Sequence, residues 1–408
     1  MTRTVGTGKT IFMFRHYATT PSHPGGSQHF LLSQCMVEDG HEVFLFASNF
    51  NHSSNTYARE FKGNFLLEKT NGVNFVWINN KPKYISNGLK RLLGMLDYSI
   101  KAYLAAIKIS KTYKKPNVII GSVAHSFAVL AAWLFSLRRK IPLWIDISEL
   151  WPEAYIEAGV LSKFHPLALI LGFLAQFLYK KGEVVTVINP NTRDFISQKR
   201  GVDKEKVIVF IPGFIAGETA MCSPRSRRNA VFRLTYTGAL NELYPIDELL
   251  RAAVKVGNLN HQLEIEIVGD GSRKAYLMTL TAELGLSDIV KFKPPVTKGE
   301  LWDIYQKADV LLVIEKNVKY GFPSKLLDYF NAGRPVIIAS DANYSLPPDV
   351  FMQCRPTAAD FEVQIMKLIM MTETDLNEIG ENSFKFAANN YDTKAMYKNA
   401  ISPLLNTL

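Results

Sequence analysis

Short apolar runs alternate with stretches of helical period along this whole chain. Residues 11–14 form the first run, and a loop with Pro24, Gly25 and Gly26 follows. A helix is expected over 27–38, ended by Gly40, and then a second strand over 41–47. Strand, glycine loop, helix and strand make a βαβ unit, which implies a parallel sheet. The runs at 118–121, 143–147, 184–188 and 207–211 continue as short buried strands with helical stretches between them. Over 212–228 the chain turns to Pro, Gly, Ser and Arg and reads as a linker.

The pattern then restarts. A strand is expected at 232–236 with a turn at Gly238, then a helix at 245–256 and a strand at 263–268 running into Gly269, Asp270 and Gly271. A helix at 273–284, a strand at 290–292, a helix at 301–308 and a strand at 310–314 lead into 320–340, YGFPSKLLDYFNAGRPVIIAS. That stretch reads as a turn at Gly321, a helix with Pro323 at its first position, a left-handed cap at Gly333 and a buried strand at 335–339. Gly238, Gly269 to Gly271 and Gly321 all fall at carboxyl ends of strands, where a doubly wound sheet binds ligands.

A length of 408 residues and a hydrophobic share of 47% suit two domains with a core each. Cys35, Cys222 and Cys354 are far apart and odd in number, so no disulfide framework or metal spacing is expected and a reducing cytoplasm is. No signal peptide is expected, and the apolar stretches 126–137 and 167–178 are too short to span a bilayer. Net charge +10 calls for an acidic partner. It is concentrated over 84–115, where seven cations (Lys90, Arg91, Lys101, Lys108, Lys111, Lys114, Lys115) face one acid, Asp97. Leucines and isoleucines between them recur at near-helical spacing, so this is either a helix lying in a membrane interface or a core-packed helix with a solvated basic face.

Chemistry concentrates in 320–340. A helix N-terminus is an anion site, and Pro323, Ser324 and Lys325 open this one, with Asp328 one turn on. The stretch resembles the donor-binding motif of glycosyltransferase family four, whose two glutamates stand eight positions apart. Asp328 matches the second, which in the family holds the ribose; the first falls on Tyr320. The Pro-Ser-Lys variant is similar to the L-fucosamine-transferase-like subgroup of surface-polysaccharide assembly. YTGALNELYPIDELLRA, IVGDGSRKAYLMTLTAELGL and VKFKPPVTKGELWDIYQKADVLLV resemble further family blocks in order. HPGGSQHFLLSQCMVEDGHEVFLFAS and ELWPEAYIEAGVL resemble it more weakly.

The resemblance implies an α/β protein of two Rossmann-like doubly wound domains facing a central cleft, the GT-B fold. The expected division is 1–212 on the acceptor side, 213–385 for the nucleotide-sugar, and a helix over 386–408 packing back on the first domain. Family members carry an arginine and a lysine where this chain has Ala239 and Pro245, so Lys325 is expected to neutralise the diphosphate, helped by Arg273. Arg273 reads equally as an exposed residue at a helix start. Gly25 and Gly26 either admit backbone amides close to a diphosphate or acceptor, or make a plain turn. His125 lies beyond a strand end, where the family has a histidine that touches the donor sugar; by itself it reads as structural. Glu149 is either an acceptor-binding group or general base, or a carboxylate at a helix N-terminus. The other expected cleft contacts are Gly238 and Gly271.

Two motifs are set aside. Gly8, Lys9 and Thr10 resemble the end of a P-loop, but its earlier glycine position holds Arg3. His16, His23 and His29 have poor metal spacing, though His16 or His29 could line the cleft. With no paired carboxylates at a strand end, metal-independent transfer without a cofactor is expected. The expected activity is transfer of a sugar, with retention, from a UDP-linked donor to a lipid-diphosphate-linked or polysaccharide acceptor in cell-surface glycan synthesis. It is placed on the cytoplasmic face of a bacterial inner membrane, with an anionic membrane surface and not nucleic acid as the other partner. The alternatives are an inactive GT-B-shaped binding protein and a UDP-sugar epimerase.

Overall fold

Thr10–Phe14 (β1) is fully buried and pairs in parallel with Glu42–Ser48 (β2) on one side and Val118–Ser122 (β7) on the other. The structure is a computed structural model. It describes residues 8–20, 22–23, 27–51, 54, 56–81, 89–157, 159, 161–213, 231–259, 263–316, 320, 322, 323–342, 344, 346–347 and 349–408. Gly25, Gly26, Gly321 and 214–230, most of the expected linker, lie outside them.

Contacts divide the chain into two units, 1–212 with 393–408, and 213–392. In the first, β1 is followed by Gln28–Glu38 (α1), β2, a short hairpin of Phe50–Asn51 (β3) and Thr56–Tyr57 (β4), then Phe65–Thr70 (β5) and Val73–Ile78 (β6). Leu89–Thr112 (α2), β7, Ser126–Arg139 (α3), Leu143–Ile147 (β8), Glu153–Glu157 (α4), Pro166–Tyr179 (α5), Val184–Val187 (β9), Pro190–Arg200 (α6) and Val207–Val209 (β10) complete it. The sheet order is β10-β9-β8-β7-β1-β2-β6-β5. All its pairs are parallel except β5 with β6, a hairpin that the expectation of a purely parallel sheet did not include.

The second unit holds Phe232–Thr237 (β11), Ile246–Leu259 (α7), Leu263–Val268 (β12), Lys274–Glu283 (α8), Val290–Lys293 (β13), Lys298–Lys307 (α9) and Val310–Ile314 (β14). Ser324–Asn331 (α10), Val336–Ala339 (β15), Met352–Cys354 (β16), Ala358–Met370 (α11) and Glu373–Tyr391 (α12) follow. Its sheet, β13-β12-β11-β14-β15-β16, is parallel throughout. Helix α9 starts three residues before the expected 301, because Thr297 and Glu300 form a capping box. Pro323 is the residue before α10 and not its first, with φ −69° and ψ 104°.

The helix that contains residue 386 continues to Tyr391, so the expected division at 385/386 falls inside it. Beyond Asp392 the chain belongs to the first unit. Thr393–Met396 (α13), a π turn over Tyr397–Ile401 and Ser402–Thr407 (α14) bury Tyr397, Ile401 and Leu405 in the core around β1, β2 and α1. Asp39 accepts hydrogen bonds from the Tyr397 hydroxyl (2.9 Å) and Ser402 Oγ (2.6 Å).

Helix α2 spans most of 84–115; 82–88 lie outside the described residues. Met95, Tyr98, Ala102, Ala106 and Ile109 pack inward, while Leu93, Ile100 and Leu104 are exposed. It is core-packed, yet it keeps an outer apolar stripe.

Candidate functional site

Each sheet reverses its strand order once, between β1 and β7 in the first unit and between β11 and β14 in the second. Helices leave a doubly wound sheet to opposite faces at such a point, opening a crevice at the strands' carboxyl ends. Both crevices hold polar and charged side chains on otherwise apolar strands.

In the first unit the groups come from the ends of β1, β7 and β8. Asp146, inside the run LWIDI, accepts from Ser122 Oγ (2.5 Å) and Thr186 Oγ1 (2.9 Å), and His29 Nε2 lies 2.7 Å from it. Burial works to raise this carboxyl. The His29 and Ser122 hydrogen bonds and the Arg15 charge outweigh burial and hold it at about 2. Burial and Arg15 lower His29 itself, so its ring is neutral at pH 7 and it binds Asp146 as an N–H donor. Arg15 is the accompanying cation, donating from Nη1 to Ser148 Oγ (2.6 Å) and Ser122 Oγ (3.2 Å).

His125 caps α3. Its Nδ1 accepts from the Ala128 N–H (3.2 Å), so the neutral ring carries its proton on Nε2 and donates to His16 Nδ1 at 2.8 Å. His16 then has its proton on Nε2, 2.9 Å from the Asn80 amide. That bond closes when the carboxamide presents Oδ1, the Asn80 atom otherwise without a partner among the described residues. Burial, then Arg91 and Arg15, push His125 down to about 3, so it stays uncharged. Both its ring nitrogens are engaged and the side chain is fully buried, which makes it a positioning group for His16 in this arrangement. Glu149 is exposed beyond Ser148, and its charge helps to raise the Tyr155 hydroxyl, which burial already raises. Glu153 is instead tied to Arg200.

In the second unit Lys325, in the first turn of α10, turns its ammonium over two rings, 4.3 Å from the Tyr236 centroid and 4.9 Å from that of Tyr244. The nitrogen is buried and meets no hydrogen-bond acceptor among the described residues. Gly238 admits it: a Cβ there would lie 2.6 Å from Nζ, and its φ is +146°. Burial lowers Lys325 to about 8, opposed by the charge of Glu315 at the end of β14. Burial raises Glu315, which accepts from the Tyr344 hydroxyl. At Gly271 a Cβ would lie 2.2 Å from the Leu240 carbonyl oxygen, so the β11 and β12 loops touch by backbone alone.

Asp328 pairs with Lys298 at 3.3 Å. Arg273 is neither free nor simply exposed, because its Nη1 donates to Asp247 at 2.9 Å and its guanidinium lies 4.8 Å from the Tyr276 ring centroid. Lys325 and Gly238 are thus brought together, with Gly271 on the adjoining loop, and Arg273 is committed to Asp247. Nothing is described of the Ser324 side chain. Sequence reasoning passed over Arg15, Ser122, Asp146, Glu315 and Tyr344. For Arg15, Asp146 and Glu315 the available signal was a charged residue within or directly after an apolar strand; Ser122 and Tyr344 carried none. No group of three or more His, Cys, Asp and Glu among the described residues could hold a metal ion, and no described helix is long and apolar enough to cross a membrane.

Comparison with known proteins gives both halves a family. Residues 29–213 match the glycosyl transferase 4-like domain, and 227–351 match glycosyl transferases group 1. D-inositol 3-phosphate glycosyltransferase of Salinispora arenicola is 26% identical over 229 residues, covering 51% of this chain and 50% of that protein. Its counterpart in Streptosporangium roseum is 35% identical over 116 residues, 26% of each. The matched part therefore spans between about a quarter and half of these relatives' length. A sucrose-phosphate synthase of Thermosynechococcus elongatus superposes with TM-score 0.77 at 15% identity, covering 98% of both chains. Anabaena HepE in complex with UDP-glucose superposes with TM-score 0.68 at 15% identity, covering 98% of this chain and 100% of that one. These likenesses make the fold that of the GT-B enzymes, two Rossmann-like domains.

Proposed function

We propose that this chain, which belongs to the glycosyltransferases that those two domain families describe, moves a sugar from a UDP-linked donor to a lipid-linked or polysaccharide acceptor. The observation that carries this reading is the Lys325 ammonium, buried with no hydrogen-bond acceptor among the described residues, above the glycine turn that ends β11. A buried cation without a counter-oxygen is costly, and a diphosphate supplies the missing oxygens. The α10 N-terminus adds its partial positive charge to the same phosphate. As the bond from the anomeric carbon to the diphosphate breaks, negative charge grows on the leaving oxygen, and Lys325 with the helix dipole stabilises it in place. On this reading Asp328 exchanges Lys298 for the ribose hydroxyls, and the transfer needs no metal because Lys325 provides the positive charge.

The sugar is of hexosyl or N-acetylhexosaminyl type, transferred with retention, and the first unit takes the acceptor. The reaction serves cell-surface glycan synthesis at the cytoplasmic face of a bacterial membrane, in keeping with a net charge of +10. HepE's complex with UDP-glucose supports UDP as the nucleotide. Calorimetric titration with UDP, GDP and ADP tests the donor: UDP should bind tightest, and no binding of any nucleotide overturns the proposal. NMR of the product linkage tests retention, which an inverted anomer would remove. A second reading, a binding protein without catalysis, is favoured by Tyr320 at the first motif-glutamate position and by the commitment of Arg273 to Asp247. It predicts nucleotide binding with no turnover.

A further inference from the structure

We propose that the outer face of α3 and α5 docks the first unit on an anionic lipid bilayer, with the cation pocket at the end of α3 receiving lipid phosphates. This deepens the membrane reading above and rests on it only for the nature of the acceptor.

Helix α5, PLALILGFLAQFLY, has no charged residue. Ala168, Leu171, Ala175 and Leu178 face inward, while Leu169, Ile170 and Phe173 point out with 61%, 64% and 73% exposure. A helix apolar all round is expected to be covered on both sides, and this one is covered on one. The patch continues to Phe164, 76% exposed, and to Leu137 on α3, 60% exposed. Trp133 meets Phe177 edge-on at 5.2 Å and joins the two helices. So many adjacent exposed apolar side chains mark a docking surface. At 14 residues α5 is about 21 Å long, short of the roughly 30 Å hydrocarbon core, so it suits lying in the interface and not crossing it.

Charge selects the occupant. No Asp or Glu occurs between Asp97 and Asp146, nor between Glu157 and Glu183. Lys163, Lys180 and Lys181 flank α5, and the ammonium groups of Lys163 and Lys181 lie 4.8 Å from the Phe164 and Phe177 ring centroids. At the end of α3, Lys115, Arg138, Arg139 and Lys140 line a cavity of about 320 Å³ with Ser110 and Phe135. The Arg139 Nε in it is buried with no partner among the described residues. A phosphate headgroup supplies acceptors for this pocket while acyl chains take the apolar face. A second copy of the chain on the same face would set these cations against like charges, because a two-fold interface is self-complementary.

Flotation of the full chain with phosphatidylcholine vesicles, and with vesicles holding about 30% phosphatidylglycerol, tests this. The anionic vesicles should bind the chain about tenfold or more tightly than the neutral ones. The double variant Ile170→Gln with Phe173→Gln should lose about tenfold or more in vesicle binding with unchanged Tm, since both residues are already exposed. Lys140→Gln with Arg138→Gln should erase the preference for anionic lipid. Wild-type protein that ignores vesicles overturns the proposal, as does a double variant that floats like wild type. A lipid-free dimer that Phe173→Gln dissociates overturns it in favour of self-association. UDP titration in lipid-free buffer reads the donor site separately, so a chain that binds UDP but no vesicles loses only the docking face.

Discussion

The Lys325 ammonium lies 4.3 Å from the centroid of the Tyr236 ring, held there by aromatic faces with Glu315 as its charged neighbour. A cation so placed costs stability in the free protein and gains it when a phosphate arrives. Replacing it with an isosteric apolar side chain should therefore separate stability from function. Lys325→Met should raise Tm, by an amount bounded by the fall from 10.5 to about 8, about 3 kcal/mol. The same change should cost UDP affinity about tenfold to a hundredfold, as expected for a charge-assisted hydrogen bond. Scanning calorimetry with and without UDP reads both, and an unchanged UDP-induced shift in Tm would refute the assignment.

The pH dependence of UDP binding follows from the same group. With Lys325 lowered to about 8 in the free protein, the ammonium is charged below that pH and progressively neutral above it. A bound diphosphate favours the charged form, so affinity should fall as pH rises through 8 toward 10. Titrations at pH 7, 8 and 9 should show this, and Lys325→Met should flatten the profile.

Gly238 provides an independent test of the pocket. A methyl group there meets Nζ of Lys325 at 2.6 Å and forces a side chain onto a φ of +146°. Gly238→Ala should weaken UDP binding by about tenfold or more and destabilise the second unit by about 1–3 kcal/mol. Retained affinity at unchanged Tm would show that the turn tolerates the methyl group and that Lys325 moves freely.

Acid should act on the first unit. His125 and His29 are buried and neutral, their folded values depressed below 6.5, that of His125 to about 3. Their contribution to stability is full above pH 6.5 and is lost as pH falls through the folded values, because the unfolded chain takes up protons first. Each costs up to about 1.4 kcal/mol per pH unit across that window. Urea unfolding at pH 7, 5.5 and 4 should show the loss, and a flat profile would contradict the tautomer chain from Ala128 to Asn80.

His125→Ala should leave UDP affinity within about twofold of wild type and slow transfer, because it removes the hydrogen bond that orients His16. His125→Gln, whose amide nitrogen can reach the imidazole Nε2 position and donate to His16, should restore part of the rate. Full turnover in the alanine variant would leave His125 as a helix cap alone.

The alternation of apolar runs and helical stretches was enough to determine two parallel α/β halves, because a strand buried on both faces reads as a continuous apolar run. Glycine turns after β11 and β12 and a lysine at the start of α10 were legible for a related reason. Turn conformation and helix ends are set by local backbone chemistry. Only the tertiary structure decided that Lys325 is buried over Tyr236 and Tyr244, and that Arg273 is spent on Asp247. It alone also placed His29, Ser122 and Asp146 in one network, residues that lie 93 and 117 positions apart along the chain from His29. The β5–β6 hairpin and the return of 393–408 to the first unit belong with them. These depend on which strands become neighbours at each switch of sheet order, and strand order is a long-range outcome of packing that no local window carries.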